Sequence, residues 1–166
     1  MTMVYHVRRR DKEITDQKTL RRILKTVQYV TIAMSRENNP YLVSLSCGYD
    51  EEHNCIYFHC AEEGKKLDFL KTNNSVWGQA LLDYGYEHGE CDHQYASVHF
   101  SGKVTFVQNL EEKVQAAKCM IKQLDKNPEK LIERLESRKL EKLKSTTIGR
   151  IDVEFMSGKR SEKIAV

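Results

Sequence analysis

The sequence predicts a mainly β protein, a small antiparallel barrel of six strands with helices added at its ends. Six segments alternate apolar and polar residues with the period of two expected of strands. Connections such as Gly48-Tyr49-Asp50-Glu51-Glu52-His53-Asn54 are short enough for hairpins and too short for βαβ crossovers. The remaining apolar residues recur at intervals of three and four, the period of amphipathic helices. The chain of 166 residues suits a single domain spanning 1–166, and no repeat or low-complexity linker divides it.

Composition narrows the class. With 40% hydrophobic and 31% charged residues the chain is globular, and a net charge of +3 gives no support to nucleic-acid binding. The five cysteines, Cys47, Cys55, Cys60, Cys91 and Cys119, are odd in number and without paired spacing. No secretory or membrane-length apolar run accompanies them. The expectation is a reduced, cytoplasmic protein with free thiols and no membrane partner.

Residues 1–14 form an N-terminal arm with the cluster Arg8, Arg9 and Arg10, either solvated or reaching a partner subunit or a ligand phosphate. Thr15 or Asp16 offers an N-cap to a helix carrying Leu20, Ile23, Leu24 and Val27 on one face. A strand follows with Val30, Ile32 and Met34 on one side, then a turn at Glu37-Asn38-Asn39-Pro40. From Tyr41 to Cys47, Tyr41, Val43, Leu45 and Cys47 share a face. The hairpin loop Gly48–Asn54 returns into a strand over Cys55–Cys60 with one buried face, and Leu67 and Leu70 mark a helix over Lys66–Lys71. Val76–Leu82 is a strand, Asp83–His93 a polar loop, and Gln94–Val107 a long strand in which Gly102 marks a bulge or bend. Residues 110–144 are a helical insertion: Leu110–Leu124, then a helix opened by Asn127-Pro128 with Leu131, Ile132, Leu135, Leu140 and Leu143 inward. Ile148–Met156 is the last strand, with Ile151, Val153 and Phe155 inward, and Ser157-Gly158-Lys159-Arg160 leaves the sheet as a basic tail.

The strand-to-helix passage at Ala61-Glu62-Glu63-Gly64-Lys65-Lys66 carries the chemistry. Two lysines stand in a first helical turn, where cations oppose the positive end of the dipole. Free N–H groups, that dipole and two ammonium groups suit a phosphate or another anion; the plain alternative is a solvated surface.

Pro40-Tyr41-Leu42-Val43-Ser44-Leu45-Ser46 with Gly48-Tyr49-Asp50, Ile56-Tyr57-Phe58-His59-Cys60-Ala61 and Gly64-Lys65-Lys66-Leu67 resemble the FMN-binding split-barrel family related to pyridoxamine 5′-phosphate oxidase. Within it the resemblance is to the 5-nitroimidazole reductase branch. Tyr95-Ala96-Ser97-Val98 with Gly102, and Gly158-Lys159-Arg160, continue the match over nearly the whole chain. The resemblance implies a six-stranded Greek-key split barrel, a homodimer holding FMN between two copies. It implies that Lys65 and Lys66 grip the FMN phosphate, with Gly64 admitting it closely. His59 and Cys60 would lie beside the phosphate and ribityl chain. Val43, Ser44, Leu45 and Ser46 would line the isoalloxazine ring, and Ser97 would complete the contacts. No catalytic residue follows from it. The oxidases proper hold their substrate with tryptophan and arginine near the C-terminus; here that region offers Lys159 and Arg160, while Trp77 stands on a middle strand. The vitamin-forming reaction is therefore not expected.

Glu87–His93 is rich in Cys and His, but it lacks CxxC, HExxH or a second ligand pair, and no metal is expected. The functional expectation is an FMN oxidoreductase passing reducing equivalents from NADH or NADPH to a small nitroaromatic or quinone acceptor. No Rossmann fingerprint is present, so the nicotinamide would visit transiently. The alternative is a flavin- or haem-binding protein without turnover, with His88, His93 or His99 as an axial ligand.

Overall fold

The computed structural model describes residues 7–138 and 140–166, with positions 138 and 140 described for their backbone alone. Residues 1–6 of the arm and the inward side chain expected of Leu140 lie outside the described residues. The elements in chain order are β1 (Glu13–Ile14), α1 (Gln17–Thr26), β2 (Tyr29–Arg36), β3 (Asn39–Asp50), β4 (Cys55–Cys60) and α2 (Lys65–Thr72). After them come β5 (Ser75–Glu87), β6 (Asp92–Phe106), α3 (Leu110–Leu124), α4 (Pro128–Arg138), α5 (Leu140–Lys144) and β7 (Thr147–Arg160).

All strand pairs are antiparallel. The sheet order is β1-β7-β4-β3-β2-β5-β6, and β6 also pairs with β7, so six strands close into a ring. The strands β2, β3 and β4 are consecutive neighbours, and α2 carries the chain back so that β5 lies beside β2. That is the Greek-key order. The expected six strands are those of the ring; the seventh, β1, pairs through only Glu13 and Ile14 with Lys159 and Gly158.

Asp16 caps α1 by accepting from the backbone N–H of Lys18 and Thr19, and Asn109 caps α3 in the same way. The barrel interior buries Val30, Ile32, Leu45, Ile56, Phe58, Val98 and Phe100. The two phenylalanines each face a glycine on the neighbouring strand, Gly149 and Gly78, where a Cβ would lie 2.2 Å and 2.1 Å from the ring. A second apolar cluster fills the space between the outer face of β4 and the helices, joining Cys55, Tyr57 and Ile148 to Ala116, Met120, Leu135 and Leu143. Strand β4 is therefore covered on both faces, whereas its alternation predicts one.

The structure departs from expectation at three further places. The hairpin Gly48–Asn54 is tighter, because β3 continues through Gly48 to Asp50. Gly48 allows this: a Cβ there would stand 2.6 Å from the backbone N of Met120, so α3 lies directly on the strand. The supposed loop Asp83–His93 is mostly strand, with an irregularity between Asp83 and Tyr86. Where one helix is expected after Pro128, the described residues 128–138 and 140–144 are helical.

The third departure concerns β7. Ser157–Arg160 stays in the sheet as strand, pairing with β6 and β1. The β6–β7 register steps from Gly102↔Val153 to Ser101↔Phe155, leaving Glu154 as an extra residue on β7. One extra residue reverses the side-chain phase of a strand. Ile151 and Val153 point into the barrel as expected, but Phe155 turns outward to meet Trp77, their ring centroids 6.0 Å apart. Gly102 permits the irregularity, since a Cβ would collide with the carbonyl of Asp152 at 2.1 Å.

Asp50 ties the β3–β4 hairpin to α3. It accepts from Nδ1 of His53 at 2.9 Å and from Nε2 of Gln115 at 2.9 Å. Burial pushes its carboxyl up, but these bonds and the backbone N–H of His53 outweigh that and hold it below the usual 3.8. A depressed carboxylate contributes stability above its unfolded value, and that stability is lost as pH falls through the folded one. Acid titration of Asp50→Asn against wild type, followed by circular dichroism, should show a smaller loss of stability below about pH 4 in the variant.

Candidate functional site

The passage from β4 to α2 is built on Gly64. Its φ of +130° and ψ of 169° lie where only glycine rests without strain, and the space a Cβ would occupy is open. No side chain caps α2, whose first bonds run from the backbone N–H of Leu67 and Asp68 to the carbonyl of Gly64. The helix is held by Leu67, Phe69 and Leu70, which are buried. Gly64→Ala is expected to cost about 1–3 kcal/mol in stability by thermal melting, from backbone strain and not from a clash.

Lys65 and Lys66 are positioned by aromatic rings. The Lys65 ammonium lies 4.4 Å from the ring centroid of Tyr41 and 5.6 Å from that of Phe69, and Lys66 lies 5.6 Å from Phe58. Among the described residues neither lysine has an ion-pair partner within 4.0 Å. Both charges are thus available beside an uncapped helix start. Cys60 stands next to them: burial pushes its thiol up, and the Lys66 ammonium draws it partly back.

The other expected site residues are distributed around the barrel. Val43 is half-buried and Leu45 is buried, both on the core side, while Ser44 and Ser46 are exposed on the outer face. Ser44 belongs to a polar row that continues across the sheet through Thr31, Gln79, His99 and Ser157. Ser44 and Thr31 share a hydroxyl hydrogen bond of 2.9 Å, and Gln79 meets Nε2 of His99 at 3.1 Å. Exposed apolar residues flank this row, Leu42 at 64% and Trp77 at 46% exposure, with Tyr29 and Leu81. Ser97 is buried on β6, paired with Leu81 and Lys159. His59 lies away from Cys60, beside a cleft of about 310 Å³ lined by Met120, Leu124, Leu131 and Leu143 of the helices. Consecutive residues of a strand point to opposite faces, which separates these two.

A single copy thus gathers Cys60, Gly64, Lys65 and Lys66 at one place and leaves Ser44, Ser46, Ser97 and His59 elsewhere. Reading by sequence missed Tyr41, Phe58 and Phe69 as the rings that hold the ammonium groups. The aromatic content of Tyr41 and Phe58, on the two strands leading to the turn, was the available signal. The histidines considered as axial ligands have neighbours: His93 Nε2 meets Asp83 at 2.7 Å, and His88 lies edge-on to Tyr86 at 5.4 Å. All five cysteines are free thiols. Among the described residues no helix is long and apolar enough to cross a membrane.

A family model described as pyridoxamine 5′-phosphate oxidase matches residues 16–160. No curated protein matches the chain. Among solved structures, a candidate 5-nitroimidazole antibiotic resistance protein from Bacteroides thetaiotaomicron is 25% identical, with a TM-score of 0.73 over 89% of this chain and 85% of that one. A flavocytochrome from Azotobacter vinelandii shares the fold at 16% identity, with a TM-score of 0.78 over 97% and 75% of the two chains. An FAD- and haem-binding protein from Mycobacterium smegmatis does so at 16%, with a TM-score of 0.68 over 93% and 76%.

Proposed function

The chain belongs to the pyridoxamine 5′-phosphate oxidase family, and from that premise we propose that it is an FMN-dependent oxidoreductase. It would act as a homodimer that passes reducing equivalents from transiently bound NADH or NADPH to a small nitroaromatic or quinone acceptor. The observation that carries the reading is the pair of ammonium groups, without ion-pair partners among the described residues, beside the open space at Gly64. Their donor set fits a phosphate: two cations, an uncapped helix start, and no side chain filling the approach.

In this reading Lys65 and Lys66 hold the phosphate, and Gly64 lets it reach the backbone. Cys60, the last residue of β4, borders the ribityl chain, while His59 faces the helices on the other side of the strand. The hydroxyls of Ser44 and Ser46, with the backbone of Val43 and Leu45, orient the ring system, and Ser97 completes its contacts. FMN, once bound, supplies the redox chemistry; the protein binds, orients and shields it from water. Because one copy spreads these residues over different parts of the barrel, the site is completed by a second. The exposed apolar residues Tyr29, Leu42, Trp77 and Leu81 give that copy a surface to bury. Free thiols suit a reducing, cytoplasmic setting.

The test is the visible spectrum of the purified protein, with the released ligand identified by mass. Flavin absorption and FMN support the proposal, and oxidation of NADH by the loaded protein separates enzyme from carrier. A Soret band, or a colourless protein that ignores added FMN, overturns it.

A further inference from the structure

The helices of residues 110–144 do not close completely on the outer face of β4 and β7. Between α3, α4, α5 and those strands lies the cleft of about 310 Å³ beside His59. Its walls are aliphatic, formed by Met120, Ile121, Leu124, Leu131, Leu143 and Ile148. Three polar side chains stand among them: His59, Asp125 and Thr146. Among the described residues, Asp125 is the one acid that lines the cleft, and no lysine, arginine, phenylalanine, tyrosine or tryptophan joins it.

The charge at this end of α3 is negative twice over. Asp125 is the C-cap of a helix of 15 residues, whose last carbonyls carry the negative end of the dipole. Its Oδ1 accepts from the backbone N–H of Asn127 at 2.7 Å, which fixes the side chain. Among the described residues the carboxylate has no ion-pair partner within 4.0 Å. Lys122, the basic residue of the last turn, lines a different cleft together with Tyr49 and Asp50. The Lys113 ammonium is taken up by the carbonyls of Lys144 and Thr146, at 2.7 Å and 2.9 Å.

We infer that this cleft binds a short aliphatic amine, the chain against Leu124, Leu131 and Leu143 and the ammonium at Asp125 and the end of α3. Apolar walls with a few convergent polar groups are the ordinary make-up of a small-molecule site. A volume of about 310 Å³ is at the lower end for such sites and takes a chain of about six to eight carbons. An ammonium has three protons to place. The second oxygen of Asp125 is available for one of them in a charge-assisted bond. The Thr146 hydroxyl donates its own proton to the carbonyl of Lys142 at 2.9 Å and is left as an acceptor. A neutral His59 ring accepts in the same way. A ligand carboxylate would instead meet the Asp125 charge and the negative helix end, and an alcohol would forgo the charge-assisted bond. The inference goes beyond the flavin reading and does not rest on it, because the cleft shares no residue with the dibasic turn or with the exposed surface at Tyr29, Leu42, Trp77 and Leu81.

Of the five methionines, Met120 is the one that lines the cleft among the described residues, so NMR of methyl-labelled methionine reports on it locally. The experiment titrates the protein as purified with hexylamine, hexanol and hexanoate. It is run at about pH 8, above the ordinary imidazole value and below that of an alkyl ammonium. The expected result is a saturable shift of the Met120 resonance by hexylamine, with a Kd of about 1 mM or below. Hexylamine should bind about tenfold more tightly than hexanol, and hexanoate more weakly than either. Asp125→Asn keeps the acceptor for Asn127 and removes the charge, so it should bring hexylamine down to the affinity of hexanol. Equal affinity of hexylamine and hexanol for the wild-type protein overturns the inference, whether or not the variant folds. An amine preference that survives Asp125→Asn overturns it too, as does a Met120 resonance that stays in place with all three compounds. A Met120 resonance that moves only with protein concentration shows a second copy in the cleft and overturns it as well. Flavin content is measured on the same sample: a yellow protein that ignores the amine sinks only the cleft assignment, and a colourless one that binds it, and takes up no added FMN, sinks only the flavin reading.

Discussion

Replacing Lys65 and Lys66 together by alanine is expected to weaken FMN binding by about 10²-fold or more, with little change in stability. Each ammonium–phosphate hydrogen bond is worth ~1.5–3 kcal/mol, and two are removed. The stability cost is smaller because the Lys65 side chain is exposed and that of Lys66 half-buried, and cation–π contacts of solvated ammonium groups contribute about 0.5–1 kcal/mol each. Flavin fluorescence quenching gives the affinity, and a thermal melt of the same sample confirms the fold. The wild-type affinity should also fall with added salt, and the variant should lose most of that dependence. A folded variant that binds FMN as tightly as the wild type would remove the dibasic turn from the site.

The second large effect is structural. Gln123 of α3 reaches across to two other elements: its Oε1 accepts from the backbone N–H of Tyr49 at 2.8 Å. Its Nε2 donates to the carbonyls of Leu24 at 2.9 Å and Val27 at 2.7 Å. Those carbonyls belong to the last turn and C-cap of α1 and have no onward helical partner. One side chain thus fastens α1, β3 and α3 together. Gln123→Leu keeps much of the volume but strands three backbone groups, so a loss of about 2–4 kcal/mol is expected in denaturant unfolding. Gln123→Glu keeps the acceptor for Tyr49 and loses the two donations, and it should fall between the two. A Leu variant within 0.5 kcal/mol or so of wild type would show that water replaces the amide.

The strands and the first helix start were legible because each writes a local signal: alternation in Val30–Met34, a cap at Thr15 or Asp16, a turn at Glu37–Pro40. What could not be read is what depends on pairing. The strand β1 is two residues long and exists only because Lys159 and Gly158 run beside it. The outward turn of Phe155 follows from one unmatched residue, Glu154, and alternation alone carried Phe155 to the wrong face. At the candidate site the residues of the dibasic turn were legible, since they are contiguous. That Lys65 would rest on Tyr41, and that His59 would face the helices while Cys60 adjoins Lys66, needed the fold. Gln123 gave no sequence signal at all, because nothing distinguishes it from a solvated helix position.

The position of β7 in the ring has a consequence for biogenesis. Among the described residues it is the one strand that pairs with three others, β1, β4 and β6, and it follows all of them in the chain. A nascent polypeptide emerging from the ribosome can form the hairpins of β2 to β6 but must wait for β7 before the gap between β6 and β4 is sealed. Until then two edges carry unsatisfied backbone groups, a state open to chaperones and to pairing with sister chains.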